Sequence, residues 1–514
     1  MKKKKDQTKR NINPIFVIIL ITILTIIISS ILSLLGLEGQ KTTIVNNSLE
    51  TSLITVKNIF SIEGIKFLLG SAITNFQILE PLGLLIVSLI TVSFIDFSGI
   101  IEPLVKPLKK LTPFLLTFLV IIVSALFSFI GDYSYLFLMP LVALIYKAMG
   151  RNPILGILTV FLGLTLAYGA GFVSDNNDYL LGILTEQSAK IDVDKNYKYH
   201  LMSNFYISVT TLILVALLLT YRLEKKISPK LTKWKKEESK KEELDEEIVE
   251  KIESQNNKKP MLISSVVFMF FIGLLIYSII PGLPFSGVLL DSESATYFAS
   301  LFSDNAPFKE GLPYIMLCII IVTTLIYGKV SKNTTDYSKS FSKELYGIGY
   351  TLTLLFFIAQ IIAILNWTNV GEVIASNLIS FMSTLEFSGL PLIVTLFIVT
   401  IIMGIFIPST IGKWVLMAPM IVPLFMRSNI TPDFTQFIFK MADGIGKSMT
   451  PIFVYFIIML GFIQKYNEDK KITIFGTYRL LMPTIMIVGG LILLIIVCWF
   501  IIGLPLGTST YPAL

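Results

Sequence analysis

Pro408-Ser409-Thr410-Ile411-Gly412-Lys413-Trp414 separates two apolar runs, Leu390 to Ile407 and Val415 to Met426, and the reading of that junction decides the fold. Neither run reaches the ~20 apolar residues of a full membrane crossing, and the link is small and polar, so the pattern predicts a re-entrant hairpin over 389–427. After Pro432 a further apolar stretch, 432–463, is interrupted by Asp443-Gly444-Ile445-Gly446-Lys447-Ser448-Met449-Thr450-Pro451. Two glycines, a proline and opposite charges at that depth are costly unless the backbone opens around a polar cavity, as at the midplane site of a carrier.

The first half of the chain repeats this layout. Tyr135-Leu-Phe-Leu-Met-Pro140 aligns with Trp414-Val-Leu-Met-Ala-Pro419, and Pro153 aligns with Pro432 at the same offset. The same register sets Ala167-Tyr168-Gly169-Ala170-Gly171 opposite Gly446 to Thr450. A hairpin over 113–149 and a broken helix over 153–183 follow as the expected counterparts.

Composition bounds the class. With 514 residues, 54% hydrophobic and 15% charged, this is an all-α polytopic membrane protein. The net charge of +7 resides in a few loops and no soluble basic domain exists, so nucleic acid is not an expected partner. Cys318 and Cys498 lie in apolar runs and His200 is the only histidine, so no metal site or cofactor is indicated.

Lys2 to Lys5, Lys9 and Arg10 precede an apolar run from Ile15 to Leu37, which predicts a retained first helix with a cytoplasmic N-terminus. Charge placement and hydropathy then give about nine transmembrane helices plus two re-entrant hairpins that enter from opposite faces, an inverted repeat. The expected division is a first repeat over 1–221, a charged cytoplasmic linker over 222–260 and a second repeat over 261–514. Gln40 to Gln77 is expected at the outer face.

Four polar clusters would meet if the halves pack face to face. The first tip offers Asp132, Tyr133 and Ser134, and the first break offers Gly169, Gly171, Asp175 and Asp178 among others. The second tip offers Ser409, Thr410 and Lys413, and the second break Asp443, Lys447, Ser448 and Thr450. Freed backbone groups and half-helix ends there suit an anionic substrate and a coupling cation. Asp443 and Lys447 would pair on an unbroken helix, or diverge to meet ligand and proton if Gly444 and Gly446 open it. Asp175 and Asp178 are either ion or proton ligands or exposed-loop carboxylates. Trp414 either stacks on a planar substrate or packs.

At these residues the chain resembles the p-aminobenzoyl-glutamate transporter (AbgT) family. Lys413-Trp414-Val-Leu-Met-Ala-Pro419-Met-Ile-Val-Pro423 is close to that family's Lys-Trp-Ala-Leu-Met-Ala-Pro stretch, and Glu63-Gly64-Ile65, Asn75-Phe76, Pro81-Leu82-Gly83 and Gly150-Arg151-Asn152-Pro153 also align. The resemblance implies an elevator-type ion-transporter fold in a homodimeric inner-membrane carrier. Its expected cargo is an aromatic-amide, p-aminobenzoyl-glutamate-like or dipeptide-like anion. It also implies roles for Asp443 and for the hairpin residues Trp414 and Pro419. Where the family has Asp-Ser-Ser-Thr-Asn, this chain has Asp443-Gly-Ile-Gly-Lys447, which predicts transport independent of sodium. The alternatives are a proton-driven exporter of drugs or antimetabolites, and a membrane-embedded enzyme. The enzyme reading lacks a visible nucleophile–base pair.

Overall fold

The computed structural model describes residues 13–45, 48–167, 176–192, 194–235, 258–294, 296–303, 305–331, 345, 348–467, 473–508 and 510–514. The longer helices, in chain order, are α1 (Pro14–Leu34), α2 (Pro81–Ser98), α3 (Pro113–Phe127), α4 (Tyr133–Ala148), α5 (Pro153–Leu166), α6 (Asn176–Asp192) and α7 (Phe205–Arg222). They continue with α8 (Lys258–Ser278), α9 (Pro307–Ser331), α10 (Ile348–Thr368), α11 (Leu390–Phe406), α12 (Thr410–Arg427), α13 (Pro432–Ser448), α14 (Val454–Lys465) and α15 (Ile474–Ile502).

The starts of several helices follow from one local device. Asn13, Thr112, Asn152 and Thr431 each cap a helix through a side-chain oxygen that accepts a backbone N–H, and each is followed by proline at the first helical position. Proline there lacks only an N–H that the helix would leave unpaired, and its ring fixes φ near the helical value.

Among the described residues, nine helices are long and apolar enough to cross a membrane, so the expectation of a helical multi-pass protein is met. Their identity is instructive. The nine include the hairpin arms 113–130 and 410–427, whereas the broken helices α5–α6 and α13–α14 fall into shorter pieces. The sequence reading had reached the same number by counting each broken helix once and no hairpin arm. Helices form over the arms expected for the two hairpins, α3 and α4 and then α11 and α12, within a residue or two of those bounds.

Three features depart from expectation. Glu38–Val45 and Ser48–Thr55 form an antiparallel β-hairpin in a chain expected to be all-α. It is anchored where the Gln40 N–H donates to Ser376 Oγ (2.7 Å) and Lys41 pairs with Glu372 (3.0 Å). Next, α7 does not stop at a linker near 222, but runs through a π-helical turn at Leu223–Ile227 into a helix ending at Lys235. Residues 236–257 of the expected linker lie outside the described residues. Finally, α13 continues through both glycines of the expected break and ends at Ser448, so the chain opens at 449–453 instead.

Those glycines serve packing. A Cβ on Gly444 would run into the Thr165 carbonyl oxygen at the end of α5. One on Gly446 would lie 2.8 Å from the Ile401 carbonyl oxygen, and one on Gly404 2.9 Å from the Gly446 Cα. In a lipid setting helices associate through close van der Waals contact rather than exclusion of water, so small residues collect where backbones must approach. The result is that α13 is wedged against α5 and α11, with every residue buried except Lys447.

Residues 503–508 and 510–514 form a strap at one end. The Leu506 carbonyl accepts from Tyr206 N (2.8 Å), and the Pro512 carbonyl accepts from Thr431 N (2.9 Å), the cap of α13. Ala513 also bridges to Ile430.

Candidate functional site

The site is built on α13. Asp433, Gln436, Lys440, Asp443 and Lys447 recur at steps of three and four, which places them along one face of a helix. A polar stripe on a buried helix must find partners, and most of this one does. The Asp433 main-chain carbonyl accepts from Asn204 Nδ2 (2.9 Å), and its side chain lies near Ser203 and Tyr197. Gln436 donates to Tyr199 Oη (3.1 Å) and accepts from Thr185 Oγ1 (2.6 Å). Lys440 forms a buried ion pair with Asp178 on α6.

The deepest pairing is at the far end. The Asp443 carboxylate receives Lys413 of α12 on Oδ1, while on Oδ2 it accepts from Thr410 Oγ1 (2.6 Å) and faces Lys447 Nζ (3.3 Å). Lys447 in turn donates to Thr410 Oγ1. Lys413 and Asp443 are 0% and 1% exposed, whereas Lys447 is 15% exposed and lies 5.5 Å from the Phe453 ring centre, beside the helix opening. One carboxylate is thus shared by two ammoniums, of which one is sealed and one is accessible.

The first hairpin reaches the same place. Asp132, partly buried at its tip, lies in the neighbourhood of Tyr455 and Lys447. Tyr455 stacks on Tyr135 (4.7 Å between centroids), and Tyr135 donates to the Leu164 carbonyl near the end of α5 (3.1 Å). The second tip and the helix opening thus meet at Lys447, with the first tip nearby.

Of the residues expected from sequence, Thr410, Lys413, Asp443 and Lys447 are brought together. Asp443 and Lys447 do not diverge: α13 is unbroken between them and they pair. Asp178 is buried against Lys440 rather than exposed. Ser409 is the cap of α12, its Oγ accepting from Gly412 N (3.1 Å), and Ser448 Oγ is spent on the Ile445 carbonyl (2.7 Å). Thr450 Oγ1 donates to the Ile405 carbonyl (3.3 Å), bracing the opening against α11. Pro419 lies buried inside α12, more than a turn beyond Lys413.

Trp414 packs rather than lining a path. It is fully buried, tilted on Phe439 (4.4 Å), and its Nε1–H donates to Thr185 Oγ1 (2.9 Å). Gly169, Gly171 and Asp175 lie outside the described residues. The sequence reading missed Lys440, Gln436 and Tyr455, although the regular spacing of the α13 stripe was there to find the first two.

Residues 9–514 match the family model described as the AbgT putative transporter family. The p-aminobenzoyl-glutamate transport protein of Escherichia coli (strain K12) is 27% identical over 476 residues, covering 91% of this chain and 89% of that protein. The solved Alcanivorax borkumensis YdaH transporter is 22% identical at a TM-score of 0.46, covering 96% of this chain and 100% of that one. Neisseria gonorrhoeae MtrF, described as illuminating a class of antimetabolite efflux pumps, is 23% identical at a TM-score of 0.49 and covers 98% of each chain.

Proposed function

Because the chain belongs to the AbgT transporter family, we propose that it is a secondary-active carrier of a small organic anion, working without sodium. The observation that carries this reading is the Lys413–Asp443–Lys447 arrangement beside the helix opening. Lys413 is sealed in its ion pair with Asp443, and Lys447 is the more accessible cation for a substrate carboxylate. The name of the Escherichia coli relative supplies the first candidate cargo, p-aminobenzoyl-glutamate. The Phe453 ring next to Lys447 offers an apolar face for its aromatic part.

The same lysine argues against sodium. Two unit positive charges about 4 Å apart repel by roughly 4 kcal/mol at an effective dielectric near 20. That is about three orders of magnitude in affinity. A proton or another route must then supply the coupling.

The hairpins and broken helices form the moving unit of an elevator-type inverted repeat, with both hairpins re-entrant. The carrier works as a homodimer in the inner membrane, with its lysine-rich N-terminus in the cytoplasm. A secondary carrier runs either way, so import or export follows from the gradients. The test is uptake of p-aminobenzoyl-glutamate into proteoliposomes with sodium and proton gradients imposed separately. Accumulation persists when choline replaces sodium; collapse of transport under that exchange overturns the sodium-free reading.

A further inference from the structure

The base of the first hairpin carries a largely buried ion pair of its own, apart from the charges around Lys447. The Glu224 carboxylate, on the π-helical turn after α7, pairs with Arg151 (2.5 Å) and accepts from Thr117 Oγ1 of α3. Arg151 also donates to the Pro113 carbonyl (3.5 Å), and its guanidinium lies 4.5 Å from the Tyr146 ring centre of α4. One clamp thus fixes the start of α3, the end of α4 and the extension of α7 at a common level. Around it stand six exposed lysines. Lys109 and Lys110 come just before the Thr112 cap of α3, Lys147 lies in the last turn of α4, and Lys225, Lys226 and Lys230 follow α7. Glu224, the carboxylate in their midst, is offset by Arg151.

The exposed surface changes character at the same level. From α7 onward, Leu219, Leu223, Ile227 and Leu231 recur every four residues and are buried, so the packed face runs on past the π-helical turn. The other face is exposed, and there Leu214, Leu217 and Tyr221 lead, one turn on, to Lys225. On α3 the exposed Leu119, Leu115 and Phe114 lead to Lys110 in the same way. A face that is hydrocarbon up to an aromatic ring and ammonium beyond it marks the headgroup level of a bilayer.

We propose that this lysine collar is a binding site for anionic phospholipid, with the phosphodiester held by the lysines and the acyl chains lying along α3 and α7. A soluble acidic partner would match the charge and leave the leucine rows bare. A zwitterionic lipid would match the rows and not the charge. The occupant has to be anion and hydrocarbon at once. Lysine suits it, being a compact charge on a flexible stem that can follow a moving headgroup. Each lysine close to an anionic lipid surface adds about fivefold in affinity, a gain that salt screens away.

The test uses the purified full-length protein in detergent micelles. It is titrated with phosphatidylglycerol carrying a fluorescent acyl chain, then competed with unlabelled lipids of matched chains. Phosphatidylglycerol should compete at least ~10-fold better than phosphatidylcholine at about 0.1 M salt, and that advantage should shrink at about 1 M. Lys225→Gln/Lys226→Gln and Lys109→Gln/Lys110→Gln should each weaken phosphatidylglycerol binding roughly twentyfold at an unchanged thermal midpoint. Lys258→Gln/Lys259→Gln, which neutralises two exposed lysines at the start of α8, should leave it as it is. Glycerophosphoglycerol, the same headgroup without chains, should not displace the probe. Equal competition by the two lipids overturns the proposal, as does an equal loss in the α8 variant, which would show diffuse charge rather than a site. Displacement by the free headgroup overturns the lipid as the occupant.

Discussion

Lys413 is fully buried, and its ammonium is tolerable there because Asp443 is buried with it. Removing one member of such a pair strands the other, at a cost of about 3–5 kcal/mol. Asp443→Asn and Lys413→Met should each lower the thermal midpoint in detergent accordingly, whereas the double variant Lys413→Met/Asp443→Leu should recover much of the stability and none of the transport. Trp414 belongs to a different class. Trp414→Phe keeps a ring against Phe439 but removes the donor to Thr185, so it should cost about 0.5–1.5 kcal/mol. The KM for p-aminobenzoyl-glutamate should stay as it is; a large rise in KM at unchanged stability would show a substrate contact instead. The charged residues of the second tip and of α13 were legible in the sequence, because charges inside apolar runs must be paired or used. The role of Trp414 was not, since an aromatic next to a hairpin tip looks the same whether it faces a cavity or a neighbouring helix. Lys440 stands in no polar cluster of the sequence; its meaning lies in its register with Asp433, Gln436 and Asp443.

At the scale of elements, run lengths and prolines place the helices of the proposed hairpin arms with bounds off by a residue or two. The misplaced break in α13 shows where such reading fails. Glycines in an apolar helix signal either an opening or a close approach, and only the neighbouring backbone decides between them. Here the Thr165 and Ile401 carbonyls decide for close approach. Gly444→Ala should therefore destabilise the protein by about 1–3 kcal/mol, as overpacking does. Gly490→Ala in α15 is the control: nothing lies within 4 Å of its Cβ position, so it should be neutral or stabilising by up to ~1 kcal/mol. Equal thermal shifts in both variants would contradict the packing role. The strands Glu38–Val45 and Ser48–Thr55 do carry a sequence signal, Thr42-Thr43-Ile44-Val45 before Asn46-Asn47, but it is short and set in a chain whose apolar runs are helical.

For the molecule as a whole, the hairpins are proposed to open to opposite faces. With Cys318 and Cys498 replaced, cysteines introduced at Gly131 and Ser409 should be labelled by a membrane-impermeant reagent from opposite sides; labelling of both from one side only, in every condition, would remove the inverted repeat. The strap has a consequence of its own. The Pro512 and Tyr511 carbonyls hold the Thr431 N–H and hydroxyl at the head of α13, and that helix carries Asp443 and Lys447 at its other end. A rigid rod fixed at its head transmits any loosening there to its tail. Fusing an affinity tag behind residue 514, or trimming residues 510–514, thus tampers with the transport centre from a distance of several helical turns, and a purification handle belongs at the other end of the chain.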